Sequence, residues 1–189
     1  MLFTETTLKG AFIIDIEQKA DSRGFFARTF CASEFVQHGL RPNLAQSSLA
    51  FNCLRGTIRG MHYQTAPSTE TKIVRCTQGA IYDVIIDMRP KSPTYLSHIA
   101  VILTAQTRRA LYVPEMFAHG YQVLSNNTEV EYHVSEFYNP DCERGLRYDD
   151  SIFGIRWPLP VSLISQKDLG WPLLVSQETP VEAAVAAVR

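Results

Sequence analysis

Short apolar or alternating runs recur along the chain: Ala11–Ile16, Phe25–Phe30, Leu44–Phe51, Thr57–Tyr63, Lys72–Thr77, Ala80–Asp87, His98–Leu103, Arg109–Val113, Gly120–Leu124 and Glu129–Ser135. Turn-forming clusters separate them: Asp21-Ser22-Arg23-Gly24, Arg55-Gly56, Gln78-Gly79, Lys91-Ser92-Pro93 and Ser125-Asn126-Asn127. Many short strands at this spacing predict an all-β sandwich or barrel, not βαβ units. The run Ala80–Asp87 is almost wholly apolar. It reads as a central strand covered on both faces, or one facing a subunit interface. Helical patterning is scarce. Ser33 is placed to cap a short turn through Phe35 and Val36. The alanine-rich stretch Val181–Val188 reads as a terminal helix or a frayed tail. One domain over residues 1–189 is expected, with a core from about Gly10 to Pro172 and a tail over about 173–189.

Composition supports one globular core: 189 residues, 46% hydrophobic and 20% charged. Net charge is −1 with no run of like charges, so the basic footprint of a nucleic-acid binder is absent. No apolar stretch approaches the roughly 20 residues of a membrane span. Met1–Gly10 carries Glu5 and Lys9 and lacks the apolar centre of a signal peptide, which makes the cytoplasm the default location. The four cysteines, Cys31, Cys53, Cys76 and Cys142, form no Cys-x-x-Cys pair. They read as free thiols, mostly buried, with Cys31 and Cys53 partly exposed.

The hexapeptide Arg59-Gly60-Met61-His62-Tyr63-Gln64 lies in a strand-like stretch that ends at Ala66-Pro67. Strict alternation groups Arg59 with Met61 on one face, and Ile58, Gly60, His62 and Gln64 on the other. Further polar residues sit in or beside the strands: Lys72, His119, Tyr132, Tyr138 and Asp168. Each has an ordinary structural explanation: a solvated strand end for Lys72, amphipathic core positions for the tyrosines, a turn cap for Asp168. Together they form a workable acid–base set. Histidine titrates near neutrality, and a carboxylate such as Asp168 can hold the tautomer of His62. Lys72 can stabilise an enolate oxygen, and a tyrosine hydroxyl can return a proton from the opposite side. That set suits proton abstraction α to a carbonyl. His62, Gln64, Glu70 and His119 also resemble the two histidine-bearing segments of metal cupins, but Gln64 is a poor ligand for zinc or iron. No metal is expected.

Six segments carry a wider resemblance: Asp21-Ser22-Arg23-Gly24-Phe25-Phe26, Arg59–Gln64, Phe117-Ala118-His119-Gly120, Glu143-Arg144-Gly145 with Asp149-Asp150, Gly154-Ile155-Arg156-Trp157-Pro158, and Ser165-Gln166-Lys167-Asp168. In these the sequence resembles the dTDP-4-dehydrorhamnose 3,5-epimerase family of the cupin superfamily. The resemblance implies a cupin-type jelly-roll barrel with short peripheral helices, in a homodimer whose N-terminal strands cross to the partner. It implies His62 as base, Asp168 as its orienting carboxylate, Tyr132 as opposing proton donor and Lys72 as enolate-stabilising cation. Arg59 and His119 match substrate contacts, and Tyr138 matches an aromatic that stacks near the nucleobase. Arg23, Phe26, Gln46, Glu143 and Lys167 match other nucleotide-sugar contacts. No cofactor is implied, because the 4-keto group already acidifies the C3 and C5 protons. Retention of His62, Lys72, Tyr132 and Asp168 together argues against a non-catalytic sugar-nucleotide-binding cupin.

Two positions depart from the family pattern. Arg28 stands where a glutamate is usual, and Ser48 where an asparagine is expected. A guanidinium cannot accept the thymine N3 proton but can donate to cytosine N3. Arg28 therefore predicts a relaxed or reversed preference for dTDP over CDP. Inversion at C3 alone or at C5 alone remains open alongside inversion at both.

Overall fold

The computed structural model describes residues 1–174. The strands are β1 (Leu2–Glu5), β2 (Phe12–Asp15), β3 (Lys19–Asp21), β4 (Gly24–Phe26), β5 (Gln46–Asn52), β6 (Ile58–Gln64), β7 (Lys72–Gln78), β8 (Ala80–Asp87), β9 (His98–Thr104), β10 (Ala110–Val113), β11 (Phe117–Val123), β12 (Thr128–Val134) and β13 (Glu143–Gly145). The helices are α1 (Ala32–Gln37) and α2 (Gln166–Leu169). None is long and apolar enough to cross a membrane.

The strands from β5 to β12 form a jelly roll. Their antiparallel pairs run β5 with β12, β6 with β11, β7 with β10, and β8 with β9. The stretch is thus one long hairpin with its tip at β8–β9, rolled so that alternate pairs fall in opposite sheets. One sheet is ordered β1-β2-β10-β7-β12-β5 and the other β13-β6-β11-β8-β9. Strands β3 and β4 make a separate, fully exposed hairpin.

Alternation decides what lies between the sheets. Ile81 and Ile85 of β8, Phe117, Tyr121 and Val123 of β11, Val74 and Cys76 of β7, and Leu111 and Val113 of β10 pack into the inner core. Val84, Ile86, Met61 and Ala118 point the other way, into a second layer closed by Leu146 and Phe153. A third layer, with Ile14, Ile73, Ala110 and Tyr112, is covered by Phe35 of α1. Strand β8 is accordingly covered on both faces, the first of the two readings of its sequence.

Several local expectations need correction. The pattern gave no sign of β1, β3 and β13. They are only three or four residues long, too short to display an alternation, and β3 is exposed throughout. The run from Phe25 is a strand only as far as Phe26. Ser33 does not cap α1: Cys31 holds that position without a side-chain cap, and the Ser33 hydroxyl lies 3.1 Å from the Cys31 sulfur. Val181–Val188 falls outside the described residues. The four cysteines are free, with Cys76 and Cys142 buried.

The buried end of β8 carries a charge network. Asp87 accepts hydrogen bonds from Arg89 Nε (2.8 Å) and Nη2 (2.7 Å), Ser92 Oγ (2.5 Å) and Thr94 Oγ1 (2.7 Å). Burial alone would raise its pKa, but these donors dominate and hold it at about 2, below its ordinary value of 3.8. The depressed value stabilises the fold above the unfolded pKa, by on the order of 2 kcal/mol. That contribution should disappear as pH falls through about 2. Urea denaturation from about pH 5 downward should therefore show an acid-side loss of stability. Asp87→Asn should be less stable at neutral pH and lose this part of the dependence.

Candidate active site

A cavity of about 660 Å³ opens between the sheets. The fold brings eleven of the sequence-predicted residues to its wall: Gln46, Ser48, Arg59, His62, Lys72, His119, Tyr132, Tyr138, Glu143, Lys167 and Asp168. It does not bring Arg23, Phe26 or Arg28 there. Arg23 pairs with Asp21 on the exposed hairpin, and Phe26 is 70% exposed. Arg28 donates from Nη1 to Glu34 Oε1 at 2.9 Å. Within one chain these three stand outside the cavity, on or just after a hairpin that joins neither large sheet.

The alternation expected for β6 also fails, for a reason central to the site. Arg59 pairs with Tyr121 and His62 with His119, so three steps along β6 match two along β11. This β-bulge reverses the phase of the strand. Arg59 and His62 both reach the cavity, while Met61 enters the second apolar layer. Gly60 sits at the bulge with φ +113°, and a Cβ there would lie 2.5 Å from Gly120 Cα and 2.7 Å from the His119 carbonyl oxygen. Backbone meets backbone at this point, and only glycine allows it.

Asp168 is 4% exposed and approaches β6 from α2. Ser165 caps that turn by accepting from Asp168 N at 3.0 Å. Asp168 Oδ1 lies 2.6 Å from His62 Nε2, and Oδ2 accepts from Gly60 N at 3.4 Å. Burial alone would raise the Asp168 pKa, but the hydrogen bond and charge of His62, with Ser165 and Gly60, outweigh it and hold the carboxyl below its ordinary value. A carboxylate only accepts, so His62 Nε2 is the donor and Nδ1 is left as the basic nitrogen.

A second imidazole–carboxylate pair stands beside the first. His119, the cross-strand partner of His62, meets Asp83 Oδ1 through Nε2 at 2.7 Å. Asp83 is fully buried, and among the described residues its other oxygen has no hydrogen-bond partner. Sequence reasoning missed Asp83, although a charge in the middle of the apolar run Ala80–Asp87 was the available signal. It also missed Asn52, which accepts from Arg59 Nε at 2.8 Å. Lys72 donates from Nζ to the His62 carbonyl at 3.2 Å and pairs with Glu70 at 3.0 Å.

Toward the mouth, Glu143 accepts from Lys167 Nζ at 2.6 and 2.7 Å and from the Tyr138 hydroxyl at 2.8 Å. Burial would raise the Glu143 pKa, but these two partners hold it down. Glu143 in turn raises the values of Tyr138 and Lys167. Gln46 Oε1 accepts from Tyr138 N at 3.0 Å. Farther inside, burial pushes the Tyr121 hydroxyl to about 12.

The four residues that echo a metal cupin line one cavity, but each is already engaged by a polar partner. Gln64 bonds Ser68, Phe137 and Asn139, and its Nε2 also donates to Glu70 Oε2 at a long 3.4 Å. Glu70 faces Lys72, His62 faces Asp168, and His119 faces Asp83. Among the described residues no group of three or more His, Cys, Asp or Glu is arranged to hold a metal ion.

A family model described as dTDP-4-dehydrorhamnose 3,5-epimerase matches residues 5–176. The chain belongs to this family. The dTDP-4-dehydrorhamnose 3,5-epimerase of Methanothermobacter thermautotrophicus is 38% identical over 182 residues, covering 95% of this chain and 96% of the relative. The dTDP-4-dehydrorhamnose 3-epimerase of Streptomyces niveus is 35% identical over 162 residues, covering 85% and 78%. The Legionella pneumophila dTDP-6-deoxy-D-glucose-3,5-epimerase, solved in complex with dTDP-4-keto-L-rhamnose, superimposes with a TM-score of 0.85 at 32% identity, covering 92% of this chain and 93% of the other. The cavity between the sheets is thus the candidate active site of an epimerase of nucleotide-linked sugars.

The bulge of this epimerase site has no room for a side chain. Gly60→Ala sets a methyl against the β11 backbone at a φ that L-residues avoid. It should lower the unfolding free energy by roughly 2–4 kcal/mol, measured by urea denaturation, and remove activity with it.

Proposed function

We propose that this chain inverts C3 and C5 of dTDP-4-dehydro-6-deoxy-D-glucose, giving the 4-keto-L-rhamnose sugar. The observation that carries the reading is the arrangement of groups across one cavity. A carboxylate-bound imidazole, His62, rises from β6 in one sheet, while Tyr132 rises from β12 in the other. The ammonium of Lys72 lies 3.2 Å from the His62 carbonyl.

In this reading Nδ1 of His62 removes a proton from the carbon next to the C4 ketone. The electron pair moves onto the ketone oxygen, and Lys72 stabilises the enolate charge. Tyr132 returns a proton to the same carbon from the opposite face, which inverts it. Solvent exchange restores both groups, and the cycle repeats at the second centre. Arg59 and His119 hold the substrate, and Tyr138, Glu143, Lys167, Gln46 and Ser48 hold the nucleotide.

A homodimer completes the site. The β3–β4 hairpin is exposed on every residue, and a lone two-stranded hairpin is marginal in water. Packing it against a partner would carry Arg23, Phe26 and Arg28 to the partner's cavity. Free thiols fit a reducing compartment such as the cytoplasm. A second reading, inversion at C3 alone, is favoured by the likeness to the Streptomyces niveus 3-epimerase.

Incubation with the dTDP-4-keto sugar in heavy water, followed by NMR, separates these readings. Deuterium at C3 and C5 is expected, and deuterium at C3 alone would select the second. His62→Asn should lower the rate by ~10²–10⁴-fold, and near-normal turnover would sink the base assignment. Tyr132→Phe should still exchange protons but yield little inverted sugar.

Arg28 bears on the choice of base. Calorimetric titration should find a narrowed preference for dTDP over CDP, by up to roughly ten- to a hundredfold, and Arg28→Glu should widen it. A strong dTDP preference unmoved by that substitution would rule the role out.

A further inference from the structure

The His62–Asp168 pair spans two elements that are tied on one side of the turn, where Ile58 N of β6 donates to the Leu163 carbonyl at 2.9 Å, two residues before Ser165. His62 lies inside a sheet, while Asp168 sits on α2, a single helical turn. The Ser165 cap is internal to that turn. Lys167 is 53% exposed in its ion pair with Glu143, and exposed pairs contribute little. The bond from Gly60 N is long, at 3.4 Å.

Trp171 supplies the restraint on the other side, after the turn. It follows Gly170, which ends the turn. Its indole fills the space that a side chain at Gly145 would need: a Cβ there would fall 2.0 to 2.3 Å from Cε2, Cδ2 and Nε1. Gly145 is the cross-strand partner of His62 in β13. The Trp171 ring centre lies 6.5 Å from the His62 imidazole, at 63° to it. Trp171 does not line the cavity, so its ring meets the His62 imidazole from outside it. Among the described residues its indole N–H is buried without a hydrogen-bond partner, a cost that an aliphatic packing residue would not carry. What the indole adds over such a residue is a flat, rigid ring that reaches from the segment after Asp168 to the strand beside His62.

We propose that Trp171 is a positioning residue, a wedge between α2 and β13 that fixes Asp168 against His62 and excludes water from the outer side of the pair. The proposal rests on the reading of His62 as the base. It acts mainly on proton transfer: Tyr138 keeps its bonds to Gln46 and Glu143, and the one tie from the mouth to the turn, the exposed Lys167–Glu143 pair, contributes little.

The test measures deuterium incorporation and dTDP affinity on the full chain. Trp171→Ala should lower kcat by ~10-fold or more, as a small misplacement of catalytic groups does, with dTDP affinity changed by less than about twofold. Trp171→Phe should recover most of the loss. Unchanged kcat in folded Trp171→Ala overturns the proposal, and so does a parallel loss of kcat and affinity. His62→Asn in the same assay separates the failures. If it turns over normally, the base reading falls. If it is inactive while Trp171→Ala is not, only the wedge falls. A second measurement leaves Trp171 intact. The chain has two tryptophans, so in Trp157→Phe protein the emission is that of Trp171 alone. A protonated imidazole quenches a neighbouring indole. The emission should fall as His62 protonates, and His62→Asn should abolish that change. Emission with no His62-dependent component overturns the contact even where Trp171→Ala fails to fold.

Discussion

The site depends on one backbone contact. At Gly60 and Gly120 the strands β6 and β11 approach too closely for any side chain to stand between them. The extra residue that β6 accommodates there reverses its phase, and the reversal places Arg59 and His62 on the same side. In a regular strand one of the two would be lost to the outer apolar layer, where Met61 now packs. A positive φ and a missing side chain are thus the local conditions for putting a cation and an imidazole into one cavity. Asp168 also uses the bulge, since Gly60 N is one of its hydrogen-bond donors.

Electrostatics then sorts the charged groups by depth. The deep carboxylates, Asp168 and Asp83, each face an imidazole. Nearer the mouth, Glu143 is shared between an ammonium and a phenol. Glu70 offsets Lys72, a pair whose side chains are only 12% and 11% exposed. Such pairing allows charges to stay in a partly dry cavity without the full desolvation penalty. It also commits each carboxylate to a separate partner, which is why the histidines do not gather a common ligand set.

Much of the fold was legible because alternation and turns are local. Every strand of the jelly roll from β5 to β12 coincides with a run visible in the sequence, and Ala80–Asp87 matches its strand end to end. The bulge was not legible, because the phase of β6 is set by its neighbour β11 and not by its own residues. The Asp83 carboxylate was hidden for a similar reason: its partner lies on another strand, at a distance in sequence that periodicity cannot report. Arg23, Phe26 and Arg28 were found through resemblance to a family, and a single chain does not unite them with the rest. Ser33 illustrates the reverse error, a good capping residue displaced because the chain turns two positions earlier, at Cys31.

The rolled hairpin also orders events in time. Its tip, β8 with β9, joins residues near in sequence, whereas β5 and β12 lie at the two ends of the roll. Pairing over such a separation must meet the loop-closure entropy before any contact repays it. Strand β12 carries Tyr132, and Asp168 comes later still. A nascent chain can therefore pair its apolar tip before Tyr132 and Asp168 exist to complete the wall of the cavity.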